Sequence, residues 1–156
     1  MQIYTDGSCI GAAGRRYAGY GVHFAEPGIC GPDISVGFED DATNQRAELW
    51  AILAALQRLD NRHVPLDVAC TINTDSQYSI DCLTKWRLTW TRNEWKTSKG
   101  ADVKHADLVR AAGKLYDRRQ PALRLAWVRG HSDCAGNVIA DRLATLAADT
   151  ISKSLT

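Results

Sequence analysis

Apolar and polar positions change period along this chain, and the changes mark its elements. Residues 1–10 (MQIYTDGSCI) and 17–26 (YAGYGVHFAE) read as strands, and so does the stretch 30–38 (CGPDISVGF). Glycines and Pro27 separate them, as hairpin connections require. From residue 43, TNQRAELWAILAALQRL takes a helical period. Ala47, Trp50, Ala51, Ala54 and Ala55 recur at helical spacing, and Leu49, Ile52, Leu53, Leu56 and Leu59 widen the apolar face. Thr43 or Asn44 serves as its cap, and Pro65 follows its end. LDVACTI (66–72) predicts a buried strand and SIDCLTKW (79–86) a short helix. The stretch 101–118 predicts a moderately amphipathic helix, ALRLAWV (122–128) a strand, and 136–150 a last helix rich in Ala and Leu. The order βββαβααβα implies a mixed α/β fold, with an antiparallel opening meander and a partly parallel sheet behind it. No repeat or linker divides the chain, so residues 1–156 are expected to form a single domain.

Two of these strands finish on a carboxylate followed by a small residue: Asp6 in TDGSC and Asp75 in TDSQY. Helix capping accounts for Asp75-Ser76, because Asp and Ser accept hydrogen bonds from free backbone N–H groups. It fits Asp6 less well, since glycines at 7, 11, 14, 19 and 21 follow it. In open α/β sheets, sites gather at the carboxyl ends of parallel strands. If the first and fourth strands are parallel neighbours, Asp6 and Asp75 meet there. Two such anions repel, and one takes a raised pKa. A divalent cation removes the penalty, and Mg²⁺ favours a few carboxylates while keeping waters or phosphate oxygens in its other positions. Glu48 lies in an otherwise apolar helical run, where an unpaired carboxylate is costly, and Asp141 lies in the first turns of the last apolar helix. Each has a plain alternative: Glu48 an ion pair with Arg46, Asp141 one with Arg142 or with the helix N-terminus. As a set they match paired metal ions about 4 Å apart that clamp the oxygens of a phosphodiester.

Composition narrows the setting. At 156 residues, 45% apolar and 24% charged, the chain has the profile of a soluble globular domain. No apolar run is long enough to cross a bilayer, and MQIYTDG is not a secretory leader. Five scattered cysteines without a CxxC spacing argue against zinc and for buried thiols in a reducing, intracellular compartment. A net charge of +1 means that any polyanion must be met by a local patch. That patch lies between residues 85 and 104, where Lys85, Arg87, Arg92, Lys96, Lys99 and Lys104 face only Glu94 and Asp102, with Trp86, Trp90 and Trp95 interleaved. Basic residues with aromatic faces suit a sugar–phosphate backbone. Trp86 and Trp95 are alternatively anchors of the protrusion; the reading favours an anchor for Trp95 and contact for Trp90.

TDGSC (5–9), TNQRAEL (43–49), TDSQY (74–78), WRLTWTRNEWKTSKG (86–100), WVRGHS (127–132) and NVIADRLA (137–144) together resemble cellular ribonuclease H, type 1, in order over essentially the whole chain. The resemblance implies the ribonuclease H-like fold: a five-stranded mixed sheet of order 3-2-1-4-5 flanked by helices, with a basic Trp-rich protrusion. It implies endonucleolytic hydrolysis of the RNA strand in an RNA/DNA hybrid, giving 5′-phosphate and 3′-hydroxyl ends. Asp6, Glu48, Asp75 and Asp141 fall on the family's four metal-binding acids, holding two Mg²⁺ ions, with Mn²⁺ as a substitute. His131 falls on its mobile histidine, or else is a solvated loop residue. Asn44 and Gln45 match the polar pair that reads the minor groove and 2′-hydroxyls, with backbone at Ser8 and Cys9 on the same surface. Tyr78, Trp86, Trp90 and Ser98 fall on the DNA channel.

The chain also departs from the family pattern. Where its DNA-phosphate pocket combines Arg, Thr and Asn, this sequence has Asp41, Thr43 and His105. Asp41 weakens a grip on phosphate, and His105 makes it depend on pH. Val138 stands where the family usually carries Glu. Altered affinity or pH optimum is expected, not loss of activity. No hybrid-binding module is expected ahead of residue 1, nor is processivity, and a monomer is the expected state. A hybrid-binding module without turnover, another nuclease of the same fold, and a piece of a reverse transcriptase are the competing readings.

Overall fold

The computed structural model describes residues 1–12, 14–130 and 133–155. Its sheet has the order β3-β2-β1-β4-β5. Strand β1 (Gln2–Ala12) pairs antiparallel with β2 (Arg15–Phe24), which pairs antiparallel with β3 (Ile34–Phe38). On the other side β1 runs parallel to β4 (Cys70–Thr74), and β4 parallel to β5 (Leu123–Trp127). A short helical turn, α1 (Pro27–Cys30), precedes β3. Helix α2 (Asn44–Asn61) and helix α6 (Ala135–Ser154) both pack on β1 and β2, while α5 (Ala106–Arg118) packs on α2.

Helix α2 is the central pillar of the core. Its apolar residues repeat closely enough that Ala47, Leu49, Ile52, Leu53, Ala55, Leu56 and Leu59 are all buried. All but Ala47, which packs with Ala18 and Ala42, share one core with Ile3, Val22, Phe24, Ile72 and Leu123 from the sheet. Each fully buried aliphatic side chain contributes roughly 1.5–3 kcal/mol. Thr43 caps α2, its hydroxyl accepting from the Arg46 N–H at 3.0 Å. Asn44 is thus the first helical residue and leaves its side chain exposed.

Three of the boundaries that differ from the periodic reading have a clear local reason. Pro27 starts the turn α1, and Asp33 accepts from the Phe24 N–H at 3.0 Å, so the third strand begins at Ile34 and not near residue 30. Val68 closes a turn onto the Pro65 carbonyl, which delays β4 to Cys70. His105 takes a left-handed φ of 60°, which no helix interior allows, so α5 starts at Ala106 and not at 101. The helix expected over 79–86 is part of a longer run. It comprises α3 (Gln77–Asp81), a π-turn over Cys82–Trp86, and α4 (Arg87–Arg92). Arg87 ties this run to α5 with a two-pronged ion pair to Asp117, at 2.9 and 2.7 Å.

Two close approaches bring distant segments to one rim of the sheet. A Cβ on Gly7 would lie 2.5 Å from the Glu48 nitrogen, so only glycine lets α2 come this close to β1. A Cβ on Gly21 would lie 2.5 Å from the Ala140 carbonyl oxygen, so α6 settles directly on β2. No described helix is long and apolar enough to cross a membrane.

Candidate active site

The parallel register of β1 and β4 runs Gln2 with Thr71, Ile3 with Ile72 and Tyr4 with Asn73. Two residues further stand Asp75, just past the end of β4, and Asp6, which is not at a strand end as expected but inside β1, because β1 runs on to Ala12 in its hairpin with β2. Glu48 reaches the same place from α2, and oxygen atoms of Asp6, Glu48 and Asp75 all lie within 4.8 Å of one another. Asp141, in the second turn of α6, lines the same groove and stands within hydrogen-bonding range of Asp6. The groove holds about 440 Å³ and is lined further by Gly7, Ser8, Cys9, Asn44, Gln45 and Ser76. All four acids expected from the sequence therefore line one cleft, and no basic side chain among the described residues lines it.

Burial and like charge dominate the electrostatics. Desolvation, together with the nearby Asp75 carboxylate, pushes the Asp6 pKa up to about 7, although hydrogen bonds from the Glu48 side chain and the Gly7 N–H oppose the rise. Glu48, 9% exposed, is driven well above the ordinary carboxylate range by burial and by Asp6. Its Oε2 is buried with no hydrogen-bond partner. A buried acceptor oxygen among like charges is a costly arrangement unless a cation completes it. The donor set is all hard oxygen, which suits Mg²⁺ or Mn²⁺ and not a soft metal. The alternative ion pair for Glu48 is not formed, because Arg46 turns the other way and binds Asp107 at 2.5 and 3.1 Å.

A second groove, of about 860 Å³, adjoins the first, and Gln45 lines both. Thr43 and His105 line it, with Asp41, Arg46, Lys104 and Trp95. Among the described residues five non-glycine positions have positive φ, and four of them, Asp41, Glu94, Trp95 and His105, line this groove. Such backbone is costly and collects where function over-determines it. His105 is half-buried, and burial with the nearby Arg46 guanidinium lowers its pKa below the ordinary histidine range.

The aromatic residues form a continuous chain. Tyr78 lies 6.5 Å from His105 and 5.8 Å from Trp86, Trp86 lies 6.0 Å from Trp90, and Trp90 lies 6.1 Å from Trp95. Trp86 is 41% exposed, whereas Trp90 and Trp95 are partly buried against the core. Arg110 stacks on Trp95 at 5.2 Å. Ser98 is exposed and lines neither groove. His131 lies outside the described residues. Three of the six basic residues of the protrusion are neutralised at home: Lys85 by Asp81, Arg87 by Asp117 and Lys96 by Asp102. Arg92, Lys99 and Lys104 have no ion pair among the described residues.

Sequence reasoning missed Arg46 and Arg110 as groove residues. Both are basic residues on helices that read as ordinary solvated positions, and only the packing of α5 on α2 turns them to one groove.

Comparison with known proteins gives the same direction. The RNase H family model matches residues 1–149. The ribonuclease H of Actinobacillus pleuropneumoniae is 37% identical over 96% of this chain and 90% of its own length. The ribonuclease HI of Pasteurella multocida is 36% identical over the same shares. Among solved structures, that of LC9-RNase H1, a type 1 RNase H with the type 2 active-site motif, superposes with a TM-score of 0.73 at 30% identity, covering 96% of this chain and 72% of that one. With this sheet order and this span of similarity, the chain belongs to the RNase H family, type 1, and is an enzyme of that family.

Proposed function

We propose that this protein cleaves the RNA strand of an RNA/DNA hybrid endonucleolytically, by two-metal-ion catalysis, leaving 5′-phosphate and 3′-hydroxyl ends. The observation that carries the reading is the set of three carboxylates with oxygens within 4.8 Å, one of them with a buried, unpartnered oxygen. Asp6, Glu48, Asp75 and Asp141 hold the ions, for which Mg²⁺ fits the hard donor set. Bound there, the metal supplies Lewis acidity at the scissile phosphate and lowers the pKa of water. Proton bookkeeping supports a cation as the natural occupant. Burial and like charge raise the pKa of Asp6 to about 7 and that of Glu48 well above the ordinary carboxylate range, and a cation in the cleft would favour the ionised form of both.

The remaining residues serve recognition. Asn44 and Gln45, exposed on the first turn of α2 at the rim of the cleft, present amides that both donate and accept, which suits a 2′-hydroxyl. Ser8 and Cys9 continue that rim on β1. The second groove and the exposed Trp86 take the DNA strand, with Thr43, Tyr78, Trp90 and His105 beside them and Ser98 on the outer turn. His131 assists proton movement or product departure. Residues 1–156 act as one domain and as a monomer.

Labelled RNA/DNA hybrid, double-stranded DNA and double-stranded RNA, each incubated with Mg²⁺ and again with EDTA, test the reading. Internal cleavage of the RNA strand of the hybrid alone, abolished by EDTA, is the expected result. Hybrid binding without turnover, or cleavage of either parent duplex at the same rate, overturns it.

A further inference from the structure

We propose that Trp127 and Gly130, at the end of β5, set the position of the Asp75 carboxylate, Trp127 through its indole N–H and Gly130 through the side chain it lacks. The inference rests on the reading of Asp75 as a metal-holding acid.

Asp75 stands in the turn between β4 and α3, beyond the last ladder pair of Thr74 with Trp127. Its neighbours are fixed by backbone geometry. The Val128 N–H donates to the Thr74 carbonyl at 2.9 Å, and the Ser76 N–H donates to Thr74 Oγ1 at 3.1 Å. Ser76 in turn caps α3, its hydroxyl accepting from the Ser79 N–H at 3.1 Å. The Asp75 carbonyl lies between these anchors, and the Trp127 indole N–H donates to it at 3.1 Å. Trp127 is 55% exposed. Its large ring thus gains only part of the burial it could have, while its one polar atom is committed to the backbone of the acid.

Gly130 acts on the other end of the same residue. A Cβ there would stand 2.8 Å from Asp75 Oδ2 and 3.5 Å from its Cγ. The nearest atom is the tip of a side chain, so an added methyl turns the carboxylate and leaves the backbone in place. Gly130 is outside the left-handed region, so alanine brings no backbone strain of its own. The backbone of Asp75 is therefore tethered from one side, and its carboxylate is given clearance from the other. Groups that orient a metal-holding carboxylate commonly change metal affinity about 10–100-fold when lost. Both are positioning residues, since neither reaches the groove itself.

The test uses the full chain with Trp127→Phe, which keeps a ring and removes the N–H, and Gly130→Ala. Three readouts are taken: Mg²⁺ binding by calorimetry without nucleic acid, kcat and KM on a labelled hybrid, and amide shifts and hydrogen exchange over residues 75–79. Both variants are expected to bind Mg²⁺ about tenfold more weakly. Trp127→Phe should lower kcat about fivefold with KM unchanged, the effect of one neutral hydrogen bond. It should also speed exchange over 75–79. Wild-type Mg²⁺ affinity and a wild-type amide pattern over 75–79 in both variants overturn the proposal. So does a rise in KM alone, which makes Trp127 a substrate contact. If the wild-type chain cleaves no hybrid, the proposed function fails, while the amide pattern still decides the tether.

Discussion

The two adjoining grooves are built on opposite electrostatic plans. The acid cleft is lined by Asp6, Glu48, Asp75 and Asp141, and no Lys or Arg among the described residues lines it. The larger groove balances Asp41, Glu94, Asp102 and Asp107 against Arg46, Lys96, Lys104 and Arg110. The cleft's charges sit within β1, just past the end of β4 and in the first two turns of α2 and α6, where regular structure prevents them from separating. The larger groove instead rests on loops and helix starts with left-handed residues, and it mixes both signs, Arg46 pairing with Asp107 and Lys96 with Asp102. Like charges crowded on rigid elements are costly until a ligand of opposite sign arrives. Compensated charge on turns costs little and exchanges partners readily. The first plan suits chemistry and the second suits docking.

The contrast breaks most visibly at the acids. Asp75→Asn should lower hybrid cleavage by at least about a thousandfold, since several kcal/mol of transition-state stabilisation depend on the metal-holding set. Hybrid binding in a gel-shift assay should survive, and thermal stability without Mg²⁺ should not fall. Collapse of both binding and stability would make Asp75 a structural residue.

Next in size is the response to pH and metal removal. Asp6 has a folded pKa of about 7 against an ordinary 3.8, so its proton favours the folded chain. That contribution is fully present below pH 4 or so and is lost as pH rises through about 7, an effect of a few kcal/mol. Urea unfolding in EDTA should therefore show stability falling across this window. Mg²⁺ should stabilise more at pH 8 than at pH 5. A flat profile in EDTA would show that the cleft carries no like-charge penalty.

Within the aromatic chain, Trp95→Ala should cost about 3 kcal/mol or more by urea unfolding, because the ring packs against the core. Trp86→Ala should leave stability within about 0.5 kcal/mol, as for exposed positions in general. Its effect should be a KM for hybrid raised about fivefold or more, as loss of a stacking face predicts. Equal losses of stability would erase the division between anchor and contact.

The smallest effect belongs to the compensated groove. Asp41→Asn should raise hybrid affinity a few-fold and steepen its salt dependence, because one repelling charge is removed. Wild-type hybrid binding should tighten as pH falls below the ordinary histidine range, where His105 gains its proton, and His105→Asn should flatten that response. Fluorescence anisotropy titrations across salt and pH would measure both. No change in either variant would place the DNA strand elsewhere.

Much of this was legible in the chain. The mixed α/β order followed from the switch between strand and helix periods, and the sheet order from the resemblance; both are observed. The acids stood out because each interrupts an apolar segment: Asp6 within β1, Asp75 just after β4, Glu48 and Asp141 inside helices. What remained hidden were backbone signs and partners. His105 reads as one more polar residue before a helix, yet its left-handed φ starts α5 five residues later than the period implies. Arg46 reads as the neighbour of Glu48, yet its partner, Asp107, lies 61 residues away in the chain.

The sequence by itself determined which segments would be strands or helices, and which four acids needed an explanation. Periodicity and the cost of burying charge are local properties that a chain carries wherever it folds. Only the tertiary structure decided that Gly7 would admit α2 and Gly21 would admit α6, so that those acids share one cleft. It alone left Glu48 Oε2 without a partner and joined the Trp127 indole to Asp75. Distances between segments far apart in the chain are fixed by close packing, which no local pattern encodes.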